Sequence, residues 1–428
     1  MLPITEYPSF VRDAKGYLES AFDNWRQVEN AMRHLAGLIV LPERKNASSI
    51  NRSFTEYRNQ ASMNNFLTDS TWDDAEFHRA MIQMVKDEVA KQGVKHGTLV
   101  IDDLFLEKTG EEMEGVGWFW DHSQNKSILA HNVVSTHYIA GRFHVPLDFG
   151  LYVKRKDLQQ ADDDKKLFRT KVEIAKDLVE KAVAYGLPID VAVFDSWYMS
   201  EALTSFLKEK GIEAFVSEEK GDRVVLSDDS RAETNLSEWA RTVPKESFEP
   251  VTVHTSILGK ETTFYAYCTS VRMKHLDGAK VKVVVSYRNE GLDDREGPSF
   301  YVTNMRYWES KKILQTQATR WPIECFHRDA KQSLGLDDYQ VRKIKGVKRH
   351  IAMVFFAYVL LQLGSGFDRI MGNVKANLRT IGSRCRLAGT EVLCSLVRFV
   401  VKMAHEDVDA RRIMDLLTKP LERSGYWL

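Results

Sequence analysis

Cysteine is scarce in this chain. Cys268, Cys325, Cys385 and Cys394 are its whole complement in 428 residues, and no two of them form a CxxC pair. That excludes a disulfide framework. No stretch reaches about 18 consecutive apolar residues, which argues against a helical membrane span. The first residues, Met1-Leu-Pro-Ile-Thr-Glu-Tyr7, lack a basic segment followed by an apolar core, so no secretory signal is visible. A reduced, cytoplasmic setting is the expectation. There is no internal repeat and no low-complexity segment. Net charge is also missing: sixty Lys and Arg balance sixty Asp and Glu, so the chain as a whole presents no field of one sign.

What is present is ordinary globular material, 43% apolar and 28% charged, enough for a substantial core. A chain of 428 residues predicts two or three domains. Charge is balanced in sum but not in distribution. Between Tyr339 and His405 stand twelve cations: Arg342, Lys343, Lys345, Lys348, Arg349, Arg369, Lys375, Arg379, Arg384, Arg386, Arg398 and Lys402. Only Asp368 and Glu391 oppose them, a footprint suited to a phosphate backbone or, equally, a solvated helical surface. Acidic runs at Asp162-Asp163-Asp164 and Asp293-Asp294 offset it and read as loops.

Periodicity divides the chain. Residues 1–95 read as a helical N-terminal domain, with Phe22, Trp25, Val28, Met32 and Leu35 at helical spacing. Residues 96–221 read as α/β: strands at Thr98–Ile101, Ser127–Tyr138, Phe143–Val153, Val191–Phe194 and Ala214–Ser217, with helices at Phe168–Tyr185 and Ser200–Lys210. Residues 222–305 read as a mostly β insertion with one short helix at Leu236–Arg241. Helices resume near Trp308, divided between 306–365, which carries the apolar core helix Ile351–Leu361, and 366–428.

The chemistry centres on three carboxylates. Asp102, with Asp103 beside it, and Asp195 each follow a β-rich apolar run, which delivers an acid at a strand's carboxyl end. Glu324 follows in Arg320-Trp-Pro-Ile-Glu-Cys-Phe-His-Arg328-Asp-Ala-Lys331, with cations four residues before, four after and seven after. On a continuous helix these share one face. Pro322 fits if a helix begins there. Oxygen ligands of this kind suit Mg²⁺, and paired ions serve in-line displacement at phosphorus. Each acid has a plainer reading, as turn former, helix cap or salt-bridge partner. Trp239 and Trp197-Tyr198 read as core packing before DNA wedges, and His327 as a packing residue.

The order of these motifs resembles the insertion-sequence transposases of the DDE class, whose catalytic core is RNase H-like. Their signature runs Tyr, two residues, Arg, three residues, Glu, six residues, Lys; Arg320, Glu324 and Lys331 match it in register, while Gln317 stands at the Tyr position. Val100-Ile-Asp-Asp103 and Phe194-Asp-Ser-Trp-Tyr198 resemble the two aspartate motifs, and the β insertion before the glutamate is also a trait of the group. The resemblance implies an RNase H-like mixed sheet interrupted by a β insertion. It implies Asp102, Asp195 and Glu324 as catalytic ligands of two Mg²⁺ or Mn²⁺ ions. Asp102 is favoured over Asp103 as the first of them. Arg320, Lys331 and Arg328 would contact DNA. The partners implied are transposon ends and target DNA, acted on by a homodimer associated with the nucleoid. A regulator that binds DNA without cutting it, and a standalone RNase H-like nuclease, remain alternatives.

Overall fold

The computed structural model describes residues 3–56, 58–141, 143–158, 168–226, 233–254, 261–293, 297–363 and 380–422. Twelve strands make one sheet: β1 (Thr98–Glu107), β2 (Gly117–Asp121), β3 (Lys126–Ala140), β4 (Phe143–Tyr152), β5 (Val191–Phe194), β6 (Ala214–Glu219), β7 (Val224–Leu226), β8 (Glu233–Asn235), β9 (Glu249–His254), β10 (Glu261–Met273), β11 (Ala279–Tyr287) and β12 (Ser299–Thr303). Their order is β2-β3-β1-β5-β6-β12-β11-β10-β7-β8, with β4 also on β3 and β9 on β10. Only β1-β5 and β5-β6 are parallel; every other pairing is antiparallel.

This is the expected mixed α/β architecture, with two refinements. The strands between Val224 and Thr303 continue the same sheet, because β12 pairs with β6. And β1 does not stop at Ile101. Its parallel pairing with β5 ends at Ile101↔Phe194, but its antiparallel pairing with β3 runs on to Glu107↔Ala130. Asp102 therefore sits where one neighbour ends, inside a strand that continues. The sequence reading also missed β2, where exposed Trp118 and Trp120 alternate with buried Phe119.

The helices are α1 (Ser9–Asp13), α2 (Lys15–Ala21), α3 (Trp25–Val40), α4 (Ala47–Arg52), α5 (Gln60–Thr68), α6 (Asp74–Lys91), α7 (Lys171–Ala184), α8 (Glu201–Glu209), α9 (Leu236–Arg241), α10 (Ser310–Ala318), α11 (Trp321–Leu334), α12 (Ile344–Leu363), α13 (Ile381–His405) and α14 (Ala410–Glu422). Local chemistry sets several ends. Thr170 and Glu173 form a capping box at the start of α7. Helix α11 begins with Pro322 in its first turn, where a missing N–H costs nothing, and stops at Gly335 in the left-handed region. Arg320 thus lies in the joint between α10 and α11, one residue outside the helix that carries Glu324, Arg328 and Lys331.

Buried α12 is the hub. Phe77 of α6 packs on Phe356 of α12, with ring centroids 5.1 Å apart, and Phe22, Phe66 and Trp72 complete that aromatic cluster. Among the described residues no helix is long and apolar enough to cross a membrane. Two buried cations tie the N-terminal helices to later ones. Lys45 donates its ammonium to the carbonyls of Leu38 and Ser333, and its own N–H bonds Asp338. Arg349 of α12 bonds Asp74 and the carbonyls of Phe66, Ser70 and Trp72, and stacks on the Trp72 ring.

Candidate active site

In β1, β5 and β6, Val100, Val193 and Val216 bury against Ile313, Leu314 and Ile323 of α10 and α11. Side chains alternate along a strand, so the residues two steps on, Asp102, Asp195 and Glu218, face the same helices. The register makes them neighbours: Ile101, Phe194 and Ser217 pair across the three strands, and the acids come next on each. The sheet lines up three carboxylates beneath α11.

Arg320 meets them from above. It donates Nη1 to Asp102 Oδ2 and Nη2 to Glu324 Oε1, both at 2.8 Å. One guanidinium therefore draws the first strand acid and the helical acid together. The balance of charge is still negative. Burial pushes the Asp102 carboxyl up to about 7; Arg320 opposes this, and Asp195 and Asp103 add to it. Burial also raises Asp195, with Asp103 adding and Arg320 opposing. Glu218 is raised by burial, helped by Asp195 and Glu324 and again opposed by Arg320. Burial pulls Arg320 the other way, but Asp102, Glu324, Asp195 and Glu218 together hold its guanidinium above its ordinary value.

Asp103 points to the opposite face, toward α7. Its carboxylate accepts from Lys171 Nζ at 2.8 Å, Asn132 Nδ2 at 2.7 Å and the Tyr198 hydroxyl at 2.9 Å. Those three donors explain a structural acid. Tyr198 is buried, as expected, and Trp239 packs against the core. Trp197 is not in the core: it is 57% exposed. The turn after β5 directs its N–H to Asp195 Oδ1 and its ring between Lys171 and Lys220.

The remaining predicted residues divide. Lys331 donates to the Phe105 carbonyl at 2.8 Å, anchoring α11 to β1. Arg328 is half-exposed and pairs with neighbouring Asp329. His327 packs on His137 and Phe326. Gln317, in the last turn of α10, has a buried Oε1 that finds no hydrogen-bond partner among the described residues. The basic run is less free than its count implied. Arg349 is buried, Arg384 bonds the carbonyls of Leu361 and Gln362, Lys343 pairs with Asp69, and Lys345 bonds the Ser70 carbonyl. Arg369, Lys375, Arg379 and Asp368 lie outside the described residues, as do Asp162-Asp163-Asp164 and Asp294. Sequence reading overlooked Glu218; an acid directly after the apolar run Ala214–Ser217 was its only signal.

Among the described residues, no three His, Cys, Asp or Glu side chains are gathered as a ready-made metal cluster. Arg320 occupies the position between Asp102 and Glu324 instead. The donor chemistry nonetheless fits a hard divalent cation. Every candidate ligand is a carboxylate oxygen, and one guanidinium serves four acids, three of them raised chiefly by burial.

Comparisons with known proteins identify the family. A family model described as DDE superfamily endonuclease matches residues 18–244, which include Asp102 and Asp195. A second, described as archaeal putative transposase ISC1217, matches residues 150–365, which include Asp195 and Glu324. A probable transposase for insertion sequence element IS701, from Microchaete diplosiphon, is 25% identical over 197 residues, 46% of this chain and 50% of that protein. The chain thus aligns with about half the length of this relative. With family models spanning half of the chain or more and overlapping over residues 150–244, the chain belongs to the DDE superfamily endonucleases and, among them, to the insertion-sequence transposases.

Proposed function

We propose that the protein is a DNA transposase that cleaves phosphodiesters at transposon ends and joins the freed 3′-hydroxyl to target DNA. The observation that carries this reading is the row Asp102, Asp195 and Glu218 beneath Glu324, with Arg320 among them. Asp102, Asp195 and Glu324 would hold the divalent cations, two Mg²⁺ or Mn²⁺ ions. Bound there, such ions activate an attacking oxygen and stabilise a leaving one at phosphorus.

The chain's own groups have separate tasks. Asp102 serves as a ligand in its carboxylate form, which burial disfavours and Arg320 favours. Arg320 holds Asp102 and Glu324 in place and carries the positive charge that a substrate phosphate would meet, where charge-assisted bonds are strong. Releasing Glu324 from Arg320 frees both the acid and the guanidinium for that exchange. Lys331 fixes α11 to β1 and so sets the height of Glu324 above the sheet. Arg328, at the exposed edge of α11, would contact a phosphate further along the strand. Water attacks phosphorus as the 3′-oxygen leaves; in the second step that 3′-hydroxyl attacks target phosphorus and the target's own 3′-oxygen leaves. Two copies would pair the two ends.

The Arg320 bridge supports a second reading, a DNA-binding descendant in which the arginine permanently takes the cation's place. One experiment separates them. A duplex carrying the terminal inverted repeat is incubated with Mg²⁺ and wild type, Asp195→Ala or Glu324→Gln. Cleavage by wild type alone supports the transposase; equal cleavage by all three removes the site assignment; binding without cleavage by wild type selects the second reading.

A further inference from the structure

A cavity of about 790 Å³ opens at the sheet edge formed by β4, between α6, α7 and α12. It lies close to the carboxylates but apart from them. Phe149, in its wall, is two strands from Asp102 in one register row, Asp102↔Ser135↔Phe149. At about 4.8 Å per strand that is roughly 10 Å. Helix α7 links the two places, since its first residue, Lys171, holds Asp103 and its later Lys181 lines the cavity.

The lining has two characters. Ile82, Phe149, Leu151 and Ala352 make an apolar wall. Among the described residues six cations surround it, Arg79, Lys86, Arg169, Lys181, Lys348 and Arg349, against two lining acids, Asp74 and Asp148. Asp74 is used by Arg349, and Asp148 by Lys181 at 2.9 Å. Arg79 and Arg169 have acids of their own outside the cavity, Glu76 and Asp177. Lys86 and Lys348 have no ion pair or hydrogen bond among the described residues. Lys348 is held below the usual ammonium range by burial against the wall and by Arg169 and Lys181, with Asp74 opposing. Its position is short of an anion.

We infer that this cavity is a second DNA-contact site, seating one nucleotide's phosphate on Arg169, Lys181 and Lys348 with its apolar body against Phe149 and Leu151. The volume is that of a pocket for a small molecule rather than a flat backbone track. An anion beside an apolar plane is the chemistry of a nucleotide. The inference rests on DNA being the substrate, and a free nucleotide offers the same chemistry, so the test carries an arm for each.

Full-length protein is titrated into a fluorescent duplex of random sequence, without divalent metal, across a series of salt concentrations. The Arg169→Gln/Lys348→Gln variant is expected to bind about tenfold or more weakly at 0.1 M salt. Its log-affinity against log-salt slope should be shallower by about 0.9, the value for the one phosphate seated there. Arg169→Lys/Lys348→Arg should restore the slope. Melting curves of all variants show that the fold is kept. The same preparations are assayed for Mg²⁺-dependent cleavage, so loss of cleavage and loss of this contact read out separately. An unchanged slope in the Gln variant overturns this inference alone. Absence of DNA binding by wild type overturns the proposed function with it. Thymidine 5′-monophosphate is added in the second arm. If it raises the melting temperature of wild type but not of the Gln variant while the DNA slope is unchanged, the pocket is a free-nucleotide site and the DNA assignment fails.

Discussion

Asp102 and Asp103 are consecutive in β1 and serve opposite faces of the sheet. Asp102 receives one guanidinium arm from α10–α11; Asp103 receives three donors on the α7 side. The two should therefore fail differently. Asp102→Asn should keep or raise the melting temperature, since it removes a buried charge, while cutting cleavage on the order of 10² to 10³-fold or more. Asp103→Ala leaves Lys171, Asn132 and Tyr198 without their acceptor and should cost about 3 kcal/mol of stability. Thermal melts beside the duplex-cleavage assay check this; similar losses in both measurements for both variants would sink the division of labour.

Divalent metal and protons should compete at Asp102. Its folded carboxyl titrates near 7 against an ordinary value of 3.8. A raised acid contributes stability below its unfolded value, and that contribution is lost as pH rises through 7. Without metal, the stabilising effect of Asp102→Asn should thus grow between pH 4 and pH 8. Adding Mg²⁺ should raise the wild-type melting temperature more at pH 8 than at pH 6, and Asp195→Ala should abolish the rise. A Mg²⁺ effect independent of pH would count against Asp102 as a ligand.

Buried histidines act with the opposite sign. His144 and His350 are pushed down to about 4, chiefly by burial. Their contribution is complete above the unfolded value near 6.5 and is lost as pH falls from there toward 4. The protein should lose stability across that window. His350→Gln, which can still donate to the Gly335 carbonyl that His350 contacts, should flatten the loss. An identical acid limb in that variant would show that other groups set it.

Glu218 belongs to the carboxylate row without matching a motif residue. Glu218→Gln should weaken Mg²⁺ binding about tenfold by calorimetric titration, the size of effect seen for groups flanking metal ligands, with little change in melting temperature. An unchanged dissociation constant would leave Glu218 a bystander.

Local signals made much of this readable in the sequence. The apolar run Val191–Phe194 is a strand to the residue, and Pro322 correctly marks a helix start. The short helix expected at Leu236–Arg241 is α9. What depends on long-range register was not readable. Glu218 joins the site only because β6 lies parallel to β5 with Ser217 opposite Phe194. The length of β1 is set by its partner β3, not by its own apolar run. Charge counting overrated the cations after Tyr339, since whether Arg349 faces water or Trp72 depends on how α12 packs.

The buried Lys45 has a consequence for how such chains can be recombined. Its ammonium, held down to about 8 mainly by burial, ends on the Ser333 carbonyl in the last turns of the helix that carries Glu324. A graft that brought in a foreign N-terminal segment without Lys45 would leave that carbonyl and the Leu38 carbonyl facing an empty socket. The first helices and the glutamate helix are therefore inherited as a matched pair, and shuffling the segment around Lys45 independently of residues 333–338 would yield chains with a loosened catalytic helix.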